Sequence, residues 1–555
     1  MAGRTFDQLI DFTRTTAGTY VDSTGKIVNT PASRNLLTFT QQFDNAAWTK
    51  NGTTVTANTG IAPDGTSTAD KLVETATTAV HNAGQSITTS ATAYTFSCYV
   101  KAAERTFAFL YHTQSNASVS VNLTTGATGQ PSGTVAPTSS SVTAVGDGWY
   151  RIAMTVTATA ASNFFGAYVS NSLTGNGSYA GDGTSGVLIW GAQLELGSLT
   201  TYTRNVGGVF PPRFDYDPVT RAPRGLLIEE QRVNLLLRSE EFDNASWSKS
   251  ASTVTANTTT SPDGTADAEK LVEDSSTGTH SVIQSAGTVG VVETLSVFAK
   301  QAERQWLALQ IGASSFGYFN LAAGTVGTTS GATATITNFG NGWYRCTITA
   351  TRATTTNNFI YVASADATAS YTGNGTSGIF IWGAQLEAGA FATSYIPTVA
   401  SQVTRAADVA AITGPNFTPW YNQSAGTWVV ELQKLSPSST ATYGVEVTGA
   451  SSNFSMRVRL GTDARLQSVD GGVAVVDAQL AASVPTTVSK YGIAYKLNDY
   501  AGSAGGAAAV TDTSATVPAL SALSIGSAGV TNIYVRSIRF YPSRLTNAQL
   551  QALTA

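Results

Sequence analysis

Residues 179–197 read YAGDGTSGVLIWGAQLELG and residues 371–389 read YTGNGTSGIFIWGAQLEAG, identical at 14 of 19 positions. Each opens in turn-forming Gly, Asp, Asn and Ser and then enters an apolar strand. Working outward, the likeness continues. Gly148-Trp149-Tyr150-Arg151 recurs as Gly342-Trp343-Tyr344-Arg345, Glu104-Arg105 as Glu303-Arg304, and Pro63-Asp64-Gly65 as Pro262-Asp263-Gly264. NLLTFTQQFDNAAWTK, residues 35–50, returns as NLLLRSEEFDNASWSK, residues 234–249, an offset of 199 residues. A period this long is too large for a solenoid repeat and matches a whole domain. One domain has been duplicated.

Within each copy, apolar and polar residues alternate over short runs. Ile152, Met154 and Val156 mark one face of a strand in the first copy; Tyr344, Cys346 and Ile348 mark it in the second. Period-two alternation between turn-rich segments predicts half-buried strands. Charged residues make up 12% of the 555, about half the usual share, while Thr and aromatic side chains suit a pleated surface. The expected fold class is all-β: tandem antiparallel jelly-roll or β-sandwich domains. A hydrophobic share of 42% with a net charge of −4 argues against disorder. That slightly acidic balance also argues against nucleic acid as a partner, which needs clustered Lys and Arg.

No stretch has the apolar length of a transmembrane helix, so no membrane insertion is expected, and MAGRTFDQLIDFTR lacks the apolar core of a signal peptide. Cys98 and Cys346 fall at non-equivalent positions of different copies and read as small apolar fillers of strands.

Five segments are expected. Residues 1–33 and 207–232 read as two parts of one small β unit, with module 1 (34–206) inserted between them. Module 2 covers 233–404. Residues 405–555 have no earlier counterpart and alternate well in TWVVELQ, NFSMRVRL and NIYVRSIRFY. The chain closes in LTNAQLQALTA, where Thr546 or Asn547 is placed to cap a short helix carrying Leu550 and Leu553 on one face.

The repeated unit has an FDN-x-x-W start, a PDGT-x-x-A-x-KLVE centre, a GWYR strand and an IWGAQLE-x-G end. With these motifs it resembles the carbohydrate-binding-module-type jelly rolls of phage structural proteins. TYVDSTGKIV and PRFDYDPVTRAPRGLLIEEQRVNLLLRSEEFDN are similar to the first segments of fibre and spike proteins, including those of gene transfer agents. IRFYPSRLTNAQLQAL resembles the end of concanavalin A-like (laminin G-type) domains, so the C-terminal segment is expected to be a concanavalin A-like sandwich. The resemblance implies a virion structural protein, tail fibre or head spike. It would be made in the bacterial cytoplasm and sit on the virion exterior, with other virion proteins and a bacterial surface glycan as partners. It further implies a homo-oligomer, with a trimer as the expected form. Residues 1–33 and 207–232 would anchor it to the particle.

A pyranose offers one apolar CH face and a ring of hydroxyls, so a sugar site needs a flat aromatic face beside hydrogen-bonding side chains. The candidates for glycan binding are Trp48 and Trp247 beside Asn45 and Asn244, Trp149 and Trp343 at strand starts, and Arg105 and Arg304. Each also has a structural reading: core or rim packing for the tryptophans, a surface ion pair for the arginines. Trp190 and Trp382, inside apolar strands, are expected to pack in the core. His81, His280 and His112 have no Cys or carboxylate cluster beside them and make no transition-metal site. The turns at Asp182 and Asn374 offer oxygen ligands of the kind Ca²⁺ takes but lack EF-hand spacing. No cofactor and no metal site is therefore expected.

Catalytic residues are not expected either. Nucleotide-binding glycine loops, nucleophile elbows and zinc-protease motifs are missing from the sequence. Glu195 and Glu387 lack the paired carboxylate that glycoside hydrolysis generally needs. The reading is a non-enzymatic protein that binds host surface polysaccharide, each weak site multiplied by copy number. Two rivals stand beside it. One is a purely architectural connector. The other is a polysaccharide depolymerase drawing on carboxylates such as Asp463, Asp470 and Asp477.

Overall fold

The computed structural model describes residues 9–30, 35–175, 177–208, 210–354, 356–435, 442–526 and 531–555. Residues 1–8 and 31–33 of the expected anchor, Arg34 of module 1, Asn176 and Val209 lie outside the described residues. The protein is all-β, built of antiparallel β-sandwiches. It divides into two compact units. The first holds residues 1–13, 31–211 and 412–419; the second holds 14–30, 212–411 and 420–555.

The first unit is built on module 1. One sheet runs, in spatial order, Ser139–Gly146, Trp149–Thr157, Ala93–Ala102, Gly186–Leu196, Ala69–Glu74 and Thr53–Gly60. The facing sheet runs Thr128–Gly129, Ala117–Asn122, Phe107–His112, Ser162–Ser170 and Thr78–Thr88, with Thr49–Asn51 and Ser178–Ala180 also on the last. Alternation explains the core. Phe96, Cys98 and Val100, with Ile152 and Met154, meet Leu110, Val119 and Phe165 from the other sheet. Cys98 is a free thiol, its pKa pushed far up by burial. The residues between these, Thr95, Ser97 and Tyr99, point to the opposite face.

That outer face is crossed by a strap, residues 197–205. Glu195 accepts the amide and hydroxyl of Thr200 (2.9 and 2.6 Å), and Gln193 accepts the amide of Thr203 (2.6 Å). Asn35 donates to Ala192 O and Thr203 O (2.9 and 2.8 Å), tying strap to strand. The acid that ends GAQLE is thus a strap anchor.

The second unit repeats this sandwich in module 2, with the same sheet order from Thr333–Gly340 to Ser252–Thr259. The C-terminal sandwich joins it. One of its sheets runs Arg213–Tyr216, Pro223–Ile228, Ile533–Tyr541, Ala425–Lys434, Ser489–Lys496, Tyr500–Ala504 and Val510–Asp512. The segment linking the two modules therefore supplies two strands to the C-terminal sandwich, Leu227 pairing with Tyr534. Thr546 caps the helix Asn547–Thr554 with a reciprocal Gln549 capping box, and Leu550 packs on Val429, Ala494 and Ala501.

Five chain segments of this unit meet at a buried ionic cluster. Arg14 donates to Asp408 (2.8 Å), to Thr30 Oγ1 and to Thr16 O. Arg213 reaches Asp408 (2.5 Å), Glu229 (2.8 Å), Ser394 Oγ and Thr19 O. Arg405 reaches Glu229 (3.3 Å) and Glu230 O. All five charged side chains are 3% exposed or less. Burial alone would raise the Glu229 pKa, but Arg405 and Arg213 overcome it and hold the carboxyl at about 2.

Removing one member strands its partners' charges. Asp408→Ala is expected to destabilise the second unit by about 3–5 kcal/mol, read as a shifted urea midpoint. The pH dependence follows the depressed Glu229. Its contribution is complete above the ordinary value of 4.5 and is lost as pH falls toward 2. Stability measured over that window should fall in the wild type and change much less in Glu229→Gln.

Candidate functional site

The strap and the outer sheet face of module 1 border a shallow, open pocket of about 730 Å³, lined by Pro63, Asp64, Tyr99, Arg151, Trp190 and residues 199–202. Its floor is aromatic. Tyr99 meets Trp190 edge-on at 5.3 Å between ring centroids, and Tyr202 lies 4.8 Å from Trp190 and 6.0 Å from Tyr99. A bulge in the strand Gly186–Leu196 makes room for them. The pairing shifts between Trp190 and Gln193, and Gly191 sits at φ +60°. A Cβ there would lie 3.0 Å from the Tyr99 ring and 3.4 Å from the Tyr202 ring, so both its conformation and its neighbours demand glycine.

The polar side of the pocket is as well fixed. Arg151 donates to Thr200 O (2.8 Å) and Ser97 Oγ (3.1 Å), and its guanidinium stands 5.3 Å from the Tyr99 centroid. Trp190 Nε1 donates to Thr68 Oγ1 (3.0 Å), and the Tyr202 hydroxyl bonds to Thr40 Oγ1 (2.7 Å). Asp64 is held in its Pro-Asp-Gly turn by the amide and hydroxyl of Thr66. Burial pushes the Tyr99 and Tyr202 hydroxyls upward, so both remain neutral donors near neutral pH. Aromatic floor, guanidinium, carboxylate and hydroxyls together suit a small polyhydroxylated ring, and the volume falls within the range of small-molecule sites.

None of the candidates named from sequence lines this pocket, although Trp149 packs in one cluster with Trp190, Tyr99 and Tyr202. Trp48 and Trp247 are buried, packed at a tilt against Phe43 and Phe242, and they donate to Phe39 O and Arg238 O at 3.0 and 2.9 Å. Asn45 and Asn244 accept the amides of Ala47 and Ser246, closing the turns that carry these tryptophans. Trp149 and Trp343 are buried too, at 2% exposure, each tied by its indole N–H to the carbonyl of Ile61 or Thr260. No ring face of these four is left for a sugar.

Arg105 and Arg304 each clasp a buried glutamate through two nitrogens, Arg105 to Glu74 at 2.9 and 2.5 Å, Arg304 to Glu273 at 2.8 and 2.6 Å. The same glutamates accept the hydroxyls of Tyr179 and Tyr371 and the amides of Asp182 and Asn374. These clasps hold the glycine-rich turns in place. Asp182 is itself saturated by Thr184 and Ser185, and Asn374 accepts the amides of Thr376 and Ser377. Among the described residues, no three His, Cys, Asp or Glu side chains gather as metal ligands. In the C-terminal sandwich, Asp463 and Asp477 share Arg465, and Asp470 accepts Thr516.

The residues missed in the sequence are Tyr99, Arg151, Trp190 and Tyr202. The signal for Tyr99 was its place in the alternation, opposite to Phe96, Cys98 and Val100. Nothing local announces that a strap from residues 197–205 bounds a pocket there.

No protein-family model matches this chain, and no curated protein matches it. Among solved structures it is similar to the Ruminococcus gnavus IT-sialidase CBM40 at 12% identity and a TM-score of 0.23. That match spans 25% of this chain and 88% of that one, and holds equally for the form bound to α2,6 sialyllactose. It is also similar to the N-terminal CBM22-1-CBM22-2 tandem domain of Paenibacillus barcinonensis Xyn10C at 14% identity and a TM-score of 0.21, over 65% of this chain and 98% of that one.

Two substitutions separate packing from pocket. Trp48→Ala should cost about 3–5 kcal/mol of stability in denaturant melts, as for any large buried aromatic. Gly191→Ala should cost more than about 1 kcal/mol and alter the near-ultraviolet circular dichroism of the displaced tyrosines.

Proposed function

We propose that this protein is a non-enzymatic structural component of the exterior of a phage or phage-like particle, and that it binds bacterial surface polysaccharide through the outer-face pocket of module 1. The observation that carries the glycan reading is the pocket itself. Tyr99, Trp190 and Tyr202 form an aromatic floor, and Arg151 and Asp64 also line the pocket. The particle reading rests on the resemblance of the repeated motifs, and the pairing of charge-poor β modules is in keeping with it. A single pocket of this kind gives modest affinity, which copies on a particle would multiply.

The architectural alternative has its own support: all four candidate tryptophans outside the pocket are buried. The test is binding of the purified protein to isolated capsular polysaccharide and lipopolysaccharide, with polymer size followed in the same tube. The expected result is saturable binding at constant polymer size. Tyr99→Phe should weaken it by about 3–10-fold, the loss of one hydrogen bond of about 0.5–1.5 kcal/mol, without lowering stability. Shortening of the polymer would establish a depolymerase, and absence of binding to any surface glycan would leave the architectural role.

A further inference from the structure

Module 2 contains the same pocket walls as module 1. Phe298 stands for Tyr99, Trp382 for Trp190, Tyr395 for Tyr202 and Arg345 for Arg151. Arg345 donates to Thr393 O (2.7 Å) and to Ser296 Oγ (3.0 Å) and stands 5.4 Å from the Phe298 centroid, the geometry of Arg151 repeated. Phe298, Trp382 and Tyr395 form the same edge-on cluster. What differs is the occupant. The hairpin of Thr19–Val21 and Ile27–Asn29 lies on these walls, and Val21 and Ile27 are buried against Phe298, Trp343, Trp382 and Tyr395. Ile27 N donates to Pro262 O (3.1 Å), on the turn equivalent to the Pro63-Asp64-Gly65 wall of module 1, and Thr19 Oγ1 donates to Tyr395 O.

The wall residues have diverged in step with this. Tyr99, whose hydroxyl fits a wet site, is Phe298 beneath the hairpin. Val145, 42% exposed in module 1, is matched by Phe339, which packs into the covered cluster. The bond from Trp190 Nε1 to Thr68 has no counterpart. Trp382 Nε1 is buried without a hydrogen bond, and so is Oδ1 of Asp267, the residue at the Thr68 position. A cavity of about 880 Å³ remains beside the hairpin, bordered by Val21, Ile27, Phe298, Arg345 and Tyr395, but Trp382 does not line it. An apolar cover over Trp382 tolerates a lost hydroxyl, whereas two unpaired buried polar atoms are a cost that solvent or a ligand would relieve.

We propose that each chain carries one working glycan pocket, in module 1, and a second in module 2 whose Trp382 floor is covered, and so kept from ligand, by the chain's own Thr19–Asn29 hairpin. This rests on the glycan-binding reading above. The duplicated modules then differ in role: one faces ligand, the other uses the ancestral pocket as a socket for its own chain.

The experiment counts sites. Short oligosaccharides released from the capsular polysaccharide or lipopolysaccharide that the protein retains are titrated into the full chain by calorimetry. One equivalent is expected. Leu199→Trp, an exposed rim residue enlarged to imitate the plug, should abolish that binding with melting unchanged. Val21→Asp/Ile27→Asp should release the hairpin and add a second equivalent. Hydroxyl-radical labelling provides a readout that needs no ligand: Tyr99 is labelled in the wild type while Tyr395 is protected, and Tyr395 becomes labelled in the double variant.

Two equivalents in the wild type, or one that survives Leu199→Trp, would overturn the assignment while leaving glycan binding intact. A double variant that labels at Tyr395 yet gains no equivalent would show that the module 2 pocket is a socket only. Failure of every oligosaccharide to bind the wild type would remove the glycan reading and this inference with it. If the double variant does not fold, the wild-type count and Leu199→Trp decide.

Discussion

The second unit depends on three guanidinium groups and two carboxylates sealed from water. Transferring such groups from water costs several kcal/mol per ion, and their mutual attraction offsets this only with good geometry and every remaining donor met. The cluster meets the first demand and most of the second, with Arg213 Nε, Arg405 Nε and Arg405 Nη1 buried without a hydrogen bond. Its surplus positive charge is spread onto the carbonyls of Thr16, Thr19 and Glu230, and Ser394 supplies its amide and hydroxyl to Glu229. Net stabilisation is a poor account of such a site, since well-packed apolar residues would often do as well. Its effect is selective. Arg14, Arg213, Glu229, Arg405 and Asp408 come from distant parts of the chain, and only one arrangement of those segments satisfies all of them.

That arrangement explains why hairpin, linking strands, module 2 and C-terminal sandwich belong to one compact unit although module 1 interrupts it in sequence. Glu229 is the pivot. Its carboxylate takes Arg213, Arg405 and Ser394, and its amide donates to Asp408 (2.9 Å). It lies one residue beyond Pro223–Ile228, a strand of the C-terminal sandwich.

Much of the fold was legible in the sequence because its signals are local. Alternation in Phe96-Ser97-Cys98-Tyr99-Val100 assigns a strand and its buried face, and the turn residues of Gly181-Asp182-Gly183 mark where the strand Gly186–Leu196 can begin. The Thr546 cap and the apolar Leu550 gave the terminal helix. The pocket was not legible, because its composition depends on which loop covers which face. Trp48 and Trp149 present the chemistry a sugar needs, yet each is closed over by its own chain. Trp190 reads as core and is nearly buried, yet it floors the cavity. The partners of Arg14 and Arg213 were equally out of reach, since no periodicity links an arginine to an aspartate hundreds of residues away. The Tyr99 to Phe298 difference between the copies was visible and acquires meaning only once the hairpin is seen above Phe298.

The span from Arg14 to Asp408, 394 residues, has a consequence in time. At about 5–20 residues per second of synthesis, roughly 20–80 s pass between the emergence of one partner and the other. During that interval the whole sequence of module 1 is made, while Val21 and Ile27 have no module 2 walls to cover them until Tyr395 has emerged. On a polysome, neighbouring nascent chains expose the same unclaimed hairpin beside newly made sockets. Exchange of an identical element between chains is a low-cost route to a dimer. The order of synthesis thus makes the closing of the module 2 socket a competition between the chain's own first hairpin and that of its neighbour.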